Sequence, residues 1–501
     1  MKLFDKLLDC ISMYRLVVYT LLLYILLAIV FAFDGRLSFR PSQVVVSVVL
    51  VLVPAYITDR GLARAFRVPT NSETWLITGL IMCLILQPAH SLLTGFGLVA
   101  AAILSSASKF LLAWHNKHIF NPAALAAAFV SLTSLGATTW WIGNSLFWPV
   151  TLLLGLIIVR KIRRVPMLVM FVSVTIVLQL VMFVAQGHPL LAGMRGALTA
   201  SPLIFLTTLM LTEPATMPSR RRQQLIFAAL VAALYVIAPH FGPLIVYPEA
   251  ALLIGNIFAF VVSPKLRLRL RLQEIQHISD SVYNYIFVPE KAFAFMPGQH
   301  MEWTIPGAAF DSRGNRRTLT IASSPTEDKV QLGLKYHQRA SAYKMGFASL
   351  SPGDPIYASQ LAGDFTLDAA PTDKLVFVAG GIGVTPFRSM VKYLSDTGTQ
   401  RDVLVLYVVP DDSDLAYLAE FNEASLVGVR LTPIVTRTAS TRPGAINSKL
   451  TMQLLSQLVP DASERTFYIS GPSAMVDGVK GYLRTMSIPR GQIKTDYFSG
   501  Y

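Results

Sequence analysis

The sequence predicts a chain built for two solvents. An α-helical polytopic membrane domain of about ten transmembrane helices fills residues 1–264, a small antiparallel β-barrel 265–370, and an α/β parallel-sheet domain 371–501. Three observations carry this. Apolar runs near the length of a bilayer crossing occupy the first half, the pattern switches to period two at "KLRLRLRLQEI", and from Lys374 short β-branched runs alternate with helix-length segments. Composition agrees, since 53% of the 501 residues are hydrophobic and 14% are charged, against about 25% charged in an average soluble domain.

A helix needs about 20 apolar residues to cross the hydrocarbon core. Candidate spans lie near residues 15–33, 42–58, 73–88, 92–114, 121–138, 145–160, 166–186, 198–212, 223–240 and 246–263. The loops with Arg60, Arg64 and Arg67, with Lys117, with Arg160, Lys161, Arg163 and Arg164, and with Arg220, Arg221 and Arg222 all follow even-numbered spans. Positive-inside bias therefore places these loops and both termini in the cytoplasm of a multi-pass protein of the inner (plasma) membrane. Arg36, Arg40 and Arg195 fall on the outer side of this scheme, where Trp140 and Trp141 suit the interface. The N-terminal run lacks a small-residue cleavage site and continues into a full-length span, so it reads as an uncleaved first helix.

The net charge of +14 sits between apolar spans, which argues for topology and lipid contact and against nucleic acid. Cys10 and Cys83 are the only cysteines, too few for an iron-sulfur cluster held by four thiolates, and no metal site is expected. Bis-histidine haem needs histidine pairs within spans; His90, His188 and His240 fall in outer loops and His115 and His118 at the inner rim. Three stretches bring Asn-Pro, Glu-Pro and an acid to span ends: "HNKHIFNPAALAA", "MLTEPATMPSRRR" and "YPEAALLIGN". There a proline frees backbone groups for a ligand, or the polar residues simply cap helices.

In the second half, "KLRLRLRLQEI", "VYNYIFVPE", "QHMEWTIP", "RTLTIASSP" and "VQLGLKY" read as strands with glycine and proline between them. "KLVFVAG", "DVLVLYVV", "VRLTPIVT", "TFYISG" and "IKTDYF" then alternate with helices, the pattern of a parallel sheet covered on both faces. In "GGIGVTP", Gly380, Gly381 and Gly383 permit a tight turn and close approach to a ligand. The residues that follow, Thr385 and Pro386, open a helix whose N-terminus favours phosphate. Asp411 and Asp412 in "VVPDDSD" follow the second strand. Carboxylates there accept from a ribose 2'-hydroxyl and repel a 2'-phosphate, so NADH is favoured over NADPH; the same acids suit a helix cap.

Two resemblances add to this. "SKFLLAWHNKHIFNPAA", "LIIVRKIRR", "MLTEPATMPSRRRQQLIFAALVAALYVI" and "YPEAALLIGNIFAFVV" resemble, in order, the related flavin-carrying membrane proteins of the sodium-translocating NADH:quinone oxidoreductase and of the Rnf complex, over roughly residues 40–263. That implies ten helices holding flavin (FMN or riboflavin), with Asn121 of the Asn-Pro element among its contacts. It also implies an FMN joined through phosphate to Thr138. "SLGATTWW" matches the family's Ser-Gly-Ala-Thr loop at Gly136, Ala137 and Thr138, with Leu135 at the serine position and the upstream acid missing.

"RTLTIASSP", "GGIGVTP", "SGPSAMV" and "TDYFSG", in that order, resemble the ferredoxin-NADP reductase family, in particular its NADH-using bacterial members, over about residues 266–501. The resemblance implies FAD and NADH. Arg317 would pair with the FAD pyrophosphate and Thr320 bond the flavin. Leu319 stands where the stacking tyrosine usually lies, Ser341 completes the pyrophosphate site, and Thr318 and Ser323 complete the FAD set. Gly471, Pro472 and Met475 would flank the nicotinamide, with Ser470 in place of the usual cysteine. Asp496, Tyr497 and Phe498 match the C-terminal cover of the flavin; Ser470, Tyr497 and Phe498 are the catalytic candidates.

Together these imply a membrane oxidoreductase that passes electrons from NADH through FAD to membrane flavin and on to an extracytoplasmic flavin-carrying protein or quinone. The alternatives are a haem-containing transmembrane ferric or oxygen reductase and a component of a redox-driven ion pump.

Overall fold

A computed structural model describes residues 11–66, 73–114, 117–187, 189–237, 248–306, 315–336, 341–367 and 373–498. The chain divides into two compact units, Met1–Lys265 and Leu266–Tyr501. His115, His188, His240, Arg67 and the end of the "TDYFSG" motif lie outside the described residues.

In the first unit, four helices among the described residues are long and apolar enough to cross a membrane: Met13–Phe33, Pro41–Phe66, Leu92–Leu111 and Val165–Ala185. Their outward faces are apolar, with Leu26, Val30, Val49, Ile57, Val177 and Val181 exposed while Leu21, Tyr24, Val51 and Phe171 are buried. Thr74–Ile85, Pro122–Leu132 and Pro248–Val262 are apolar but shorter. The expected third, fifth and eighth spans are therefore interrupted rather than continuous. The third ends at Ile85 because Leu86 turns extended ahead of Pro88. The fifth starts at Pro122, capped by the side chain of Asn121. In place of the eighth, Leu190–Thr199 is followed by Leu203–Phe205 and a π-turn over Leu206–Met210.

The interruptions satisfy each other. Leu86 bridges Thr138, Gln87 N donates to Ala137 O at 3.0 Å, and Thr139 N donates to Ile85 O at 3.0 Å. Non-helical backbone away from water requires such pairing.

The second unit opens with six antiparallel strands: β1 Arg267–Ser279, β2 Val282–Pro289, β3 His300–Thr304, β4 Arg316–Thr320, β5 Val330–Lys335 and β6 Pro355–Ala362. On β1 the leucines Leu268, Leu270 and Leu272 are buried and the arginines between them exposed, as period two demands. The order is β4-β3-β6-β1-β2-β5, so the expected antiparallel barrel takes the form of a half-barrel with β4 and β5 as edges. Ala322 N donates to Gln331 O at 2.9 Å across the seam. Strand β6, "PIYASQLA", lies outside the set the sequence predicts and sits between β1 and β3.

A parallel sheet follows: β7 Lys374–Gly380, β8 Val403–Val409, β9 Val429–Val435, β10 Ile446–Asn447, β11 Arg465–Pro472 and β12 Ile493–Phe498. Its order is β10-β9-β8-β7-β11-β12, so the winding direction reverses between β7 and β11. At the opposite end of the strands Arg465, almost fully buried, donates from Nε to Asp461 Oδ1 and from Nη2 to Asp402 Oδ2, each at 2.7 Å.

Arg465→Ala is expected to destabilise this unit by about 2 kcal/mol, the scale of hydrogen bonds to charged groups, measured by thermal unfolding of the full chain. The hydrogen bond from Arg465 holds the Asp461 carboxyl below its ordinary value. The folded chain thus binds this proton less readily than the unfolded one, so the stabilisation is complete above about pH 4 and is lost as acid titrates the folded carboxyl. The variant should lose less stability than the parent on acidification below that point.

Candidate functional site

In open α/β sheets a ligand crevice forms beyond the carboxyl ends of strands where the winding reverses. Here that point lies between β7 and β11. Gly380 ends β7, Gly381–Val384 makes one 3-10 turn, and Thr385–Asp396 is the following helix. A Cβ on Gly383 would stand 2.6 Å from both Gly471 Cα and Ser470 O, so only glycine lets the two chain segments meet. Thr385 is buried and donates from Oγ1 to Ile382 O at 3.1 Å, with Pro386 behind it in the first turn. Met475 packs over the loop, its sulfur 2.6 Å from where a Cβ on Gly380 would lie.

Ser470 aligns with Ala379 of β7 on one side and Asp496 of β12 on the other. It is fully buried and its Oγ has no hydrogen-bond partner among the described residues, an orphan hydroxyl beside the crevice. Gly471 aligns with Tyr497 and Pro472 with Phe498, and Tyr497 donates its hydroxyl to Asp477 Oδ1 at 3.1 Å.

The half-barrel supplies the other wall. Arg317 on β4 holds its guanidinium 5.0 Å from the centre of the Tyr343 ring. Thr320 is buried opposite His300, and Thr318 is exposed opposite Glu302. Leu319 is half-buried and its carbonyl accepts from Trp303 Nε1 at 3.0 Å. Ser341 is buried and caps the helix Ala342–Ala348. Ser323 serves the seam instead, its hydroxyl accepting from Gln331 N at 3.2 Å and its carbonyl from Ser389 Oγ at 2.7 Å.

Two residues absent from the expected site dock the half-barrel on the glycine loop. Gly333 on β5 has no room for a side chain, since a Cβ would stand 2.8 Å from Thr385 Cγ2 and closer still to the Tyr417 hydroxyl. The sequence does carry a signal for it: a lone glycine inside an alternating strand marks a close backbone approach. Arg388, 4% exposed, donates to Glu327 Oε1 at 3.0 Å, to Glu420 Oε1 at 3.1 Å and to Ala322 O at 3.3 Å.

The acids after β8 each have a partner of their own. Asp411 is paired with the exposed Arg437, whose hydrogen bonds hold its carboxyl below the usual range. Asp412 Oδ1 accepts from Ser440 Oγ at 2.7 Å. A guanidinium therefore stands where only negative charge was expected, and the repulsion of a 2'-phosphate is weakened.

In the helical unit, Asn121 is buried and already engaged. Its Oδ1 accepts from Ala124 N at 2.9 Å, its Nδ2 donates to Glu213 Oε2 at 2.7 Å, and its N donates to Asn256 Oδ1 at 2.9 Å. Asn256 Nδ2 is buried with no partner among the described residues. Thr138 is half-buried and bonded to Glu249 Oε1 at 2.8 Å and Ser131 Oγ at 2.7 Å. Nothing in the spacing links Glu249 to Thr138, which lie 111 residues apart.

A guanidinium held over Tyr343, close in sequence to the helix cap Ser341, suits a pyrophosphate, and the Ser470 hydroxyl beside a glycine turn suits the polar edge of a nicotinamide. Half-barrel and doubly wound sheet make up a module with a ferredoxin-NADP-reductase-like fold and a crevice placed for a dinucleotide. Residues 377–481 match the family model for the oxidoreductase NAD-binding domain. The reductase component of propane 2-monooxygenase from Mycolicibacterium goodii is 25% identical over 214 residues, 41% of this chain and 60% of that protein. NADH oxidoreductase HCR of Escherichia coli (strain K12) is 25% identical over 223 residues, 44% of this chain and 66% of that protein. The chain thus spans less than two thirds of these relatives. The crystal structure of the Amycolatopsis cytochrome P450 reductase GcoB is similar with a TM-score of 0.41 and 23% identity, over 46% of this chain and 70% of that one.

Gly383→Ala is expected to lower kcat/KM for NADH by about a hundredfold, the scale of a 1 Å misplacement, in steady-state assays with an artificial acceptor. Arg437→Ala should raise the preference for NADH over NADPH by roughly tenfold, one charge-assisted contact's worth, read as the ratio of the two kcat/KM values.

Proposed function

We propose that the chain is a single-chain membrane oxidoreductase. It passes electrons from cytoplasmic NADH through FAD to flavin in the helical unit, and on to an extracytoplasmic flavin-carrying protein or quinone. The observation that carries this reading is covalent continuity: a nicotinamide-flavin module shares one chain with a unit whose four long helices turn apolar faces outward. The basic loops after even-numbered spans support an inner-membrane location with both termini and the reductase module in the cytoplasm.

The chain's own residues do the placing. Gly380, Gly381 and Gly383 admit the dinucleotide phosphates to the helix N-terminus, while Gly471 and Pro472 border the nicotinamide. Ser470 offers it a hydroxyl in place of a thiol, and Tyr497 and Phe498 lie on the adjoining strand. Flavin, when bound, supplies the conversion between a two-electron hydride and single electrons, and the protein tunes and positions it. In the helical unit the donor at Asn256 Nδ2 suits a ring carbonyl, and the half-buried Thr138 hydroxyl suits a phosphoester.

Purified full-length protein should oxidise NADH with ferricyanide and, after denaturation, give a fluorescent flavin band under ultraviolet light that Thr138→Ala abolishes. A helical unit free of both covalent and dissociable flavin after gentle purification would overturn the reading.

A further inference from the structure

We infer that the outward face of β1, with Arg267, Arg269 and Arg271, is a docking surface for the anionic phospholipid headgroups of the bilayer. This rests on the reading that the first unit lies in a membrane, and it adds a lipid partner for the second.

The pleat sends Leu268, Leu270 and Leu272 into the half-barrel core and the three arginines outward, where all are exposed. Successive outward positions on a strand lie about 7 Å apart, so three guanidiniums stand in one short row. Their counter-charge is thin. Glu290 Oε1 is shared between Arg269 at 3.5 Å and Arg271 at 3.8 Å, each side chain 41% or more exposed, and pairs of this kind contribute little in water. Arg267 holds its guanidinium 5.6 Å from the centre of the Tyr357 ring. The row crosses the sheet from Arg267 through Ser359 to Glu302, but that carboxylate is taken by Arg316 at 3.4 Å. Four guanidiniums thus meet two carboxylates on one surface. Val288, opposite Arg271 and 44% exposed, adds an apolar contact.

Two observations separate this from a strand face that is merely solvated. All three outward positions are arginine, whose planar fork matches phosphate oxygens two at a time. Their place on the chain is the second. Helix Pro248–Val262 ends five residues before Arg267, and five residues of chain reach at most about 18 Å. By the proposed topology that helix end meets the cytoplasmic headgroups. Lys265 Nζ lies 4.6 Å from the centre of the Phe260 ring there, its stem laid along an apolar surface as basic residues do at an interface. An anionic leaflet attracts arginines so close to a span. Docking would press the half-barrel to the bilayer and limit its swing on the link 263–266.

The test places the full chain in nanodiscs of phosphatidylcholine alone or mixed with phosphatidylglycerol and follows arginine modification by phenylglyoxal with mass spectrometry. The reagent is uncharged, so lipid charge does not change its local concentration. In mixed discs at about 0.1 M salt, Arg267, Arg269 and Arg271 should react at least about fivefold more slowly than in phosphatidylcholine, the scale of one arginine's attraction to an anionic surface. At about 1 M salt, where the screening length falls to about 3 Å, the difference should vanish. The exposed Arg484 and Arg490 should react alike throughout. A variant carrying Arg267→Gln and Arg271→Gln should lose most of the protection of Arg269; its thermal transition reports folding, and the parent decides the question without it. Equal reactivity of the three arginines in both discs would overturn the inference and leave the membrane reading standing. Protection that persists at high salt or in phosphatidylcholine alone would overturn it too, because a protein contact would then cover the strand. A chain released from vesicles by alkaline carbonate would overturn both.

Discussion

The contact on which the reductase half depends is the close meeting of two chain segments where the parallel sheet reverses its winding. Gly383 lies so near the backbone of Ser470 and Gly471 that one added carbon would collide with it. The approach brings the glycine turn and the end of β11 together, and it sets the orphan hydroxyl of Ser470 beside a helix N-terminus. One short stretch of backbone is thereby shaped to meet both a phosphate and the polar edge of a ring, as the proposed function requires.

Docking of the half-barrel builds on that meeting. Gly333 lets β5 settle against Thr385 and Tyr417, and the buried Arg388 joins the seam loop at Ala322 and Glu327 to Glu420 of the sheet domain. A buried guanidinium needs all its carboxylate partners, and a charge left unpaired there would cost several kcal/mol. The geometry between the half-barrel and the glycine loop is consequently stiff, which suits the proposed transfer between two facing rings.

The helical unit solves a different problem. Its interruptions at Leu86, Asn121 and the π-turn over Leu206–Met210 break the helical backbone ladder inside the unit. The break at Leu86 is satisfied by the Ala137–Thr139 loop, and the one at Asn121 by the side chains of Asn256 and of Asn121 itself. What would be a defect in a plain anchor becomes a polar interior within an apolar shell. The same pairing holds the Gly136–Thr138 loop in place, because Leu86 bridges Thr138 directly.

The local code carried much of this. Period two in "KLRLRLRLQEI", alternation of strands and helices after Lys374 and the motif order from Arg317 to Phe498 are near-neighbour properties, and a chain cannot bury alternate leucines without forming the strand they imply. Asn-Pro at residues 121–122 likewise announced a helix start. Decided only by the tertiary structure were the break-up of the third, fifth and eighth spans, the half-barrel with β6 at its centre, and the pairing of Asp411 with Arg437. The partnerships of Thr138 with Glu249 and of Arg388 with Glu327 and Glu420 belong there too. Each joins residues far apart in sequence, and hydrophobic periodicity records which face of an element is buried but not which distant side chain will meet it there.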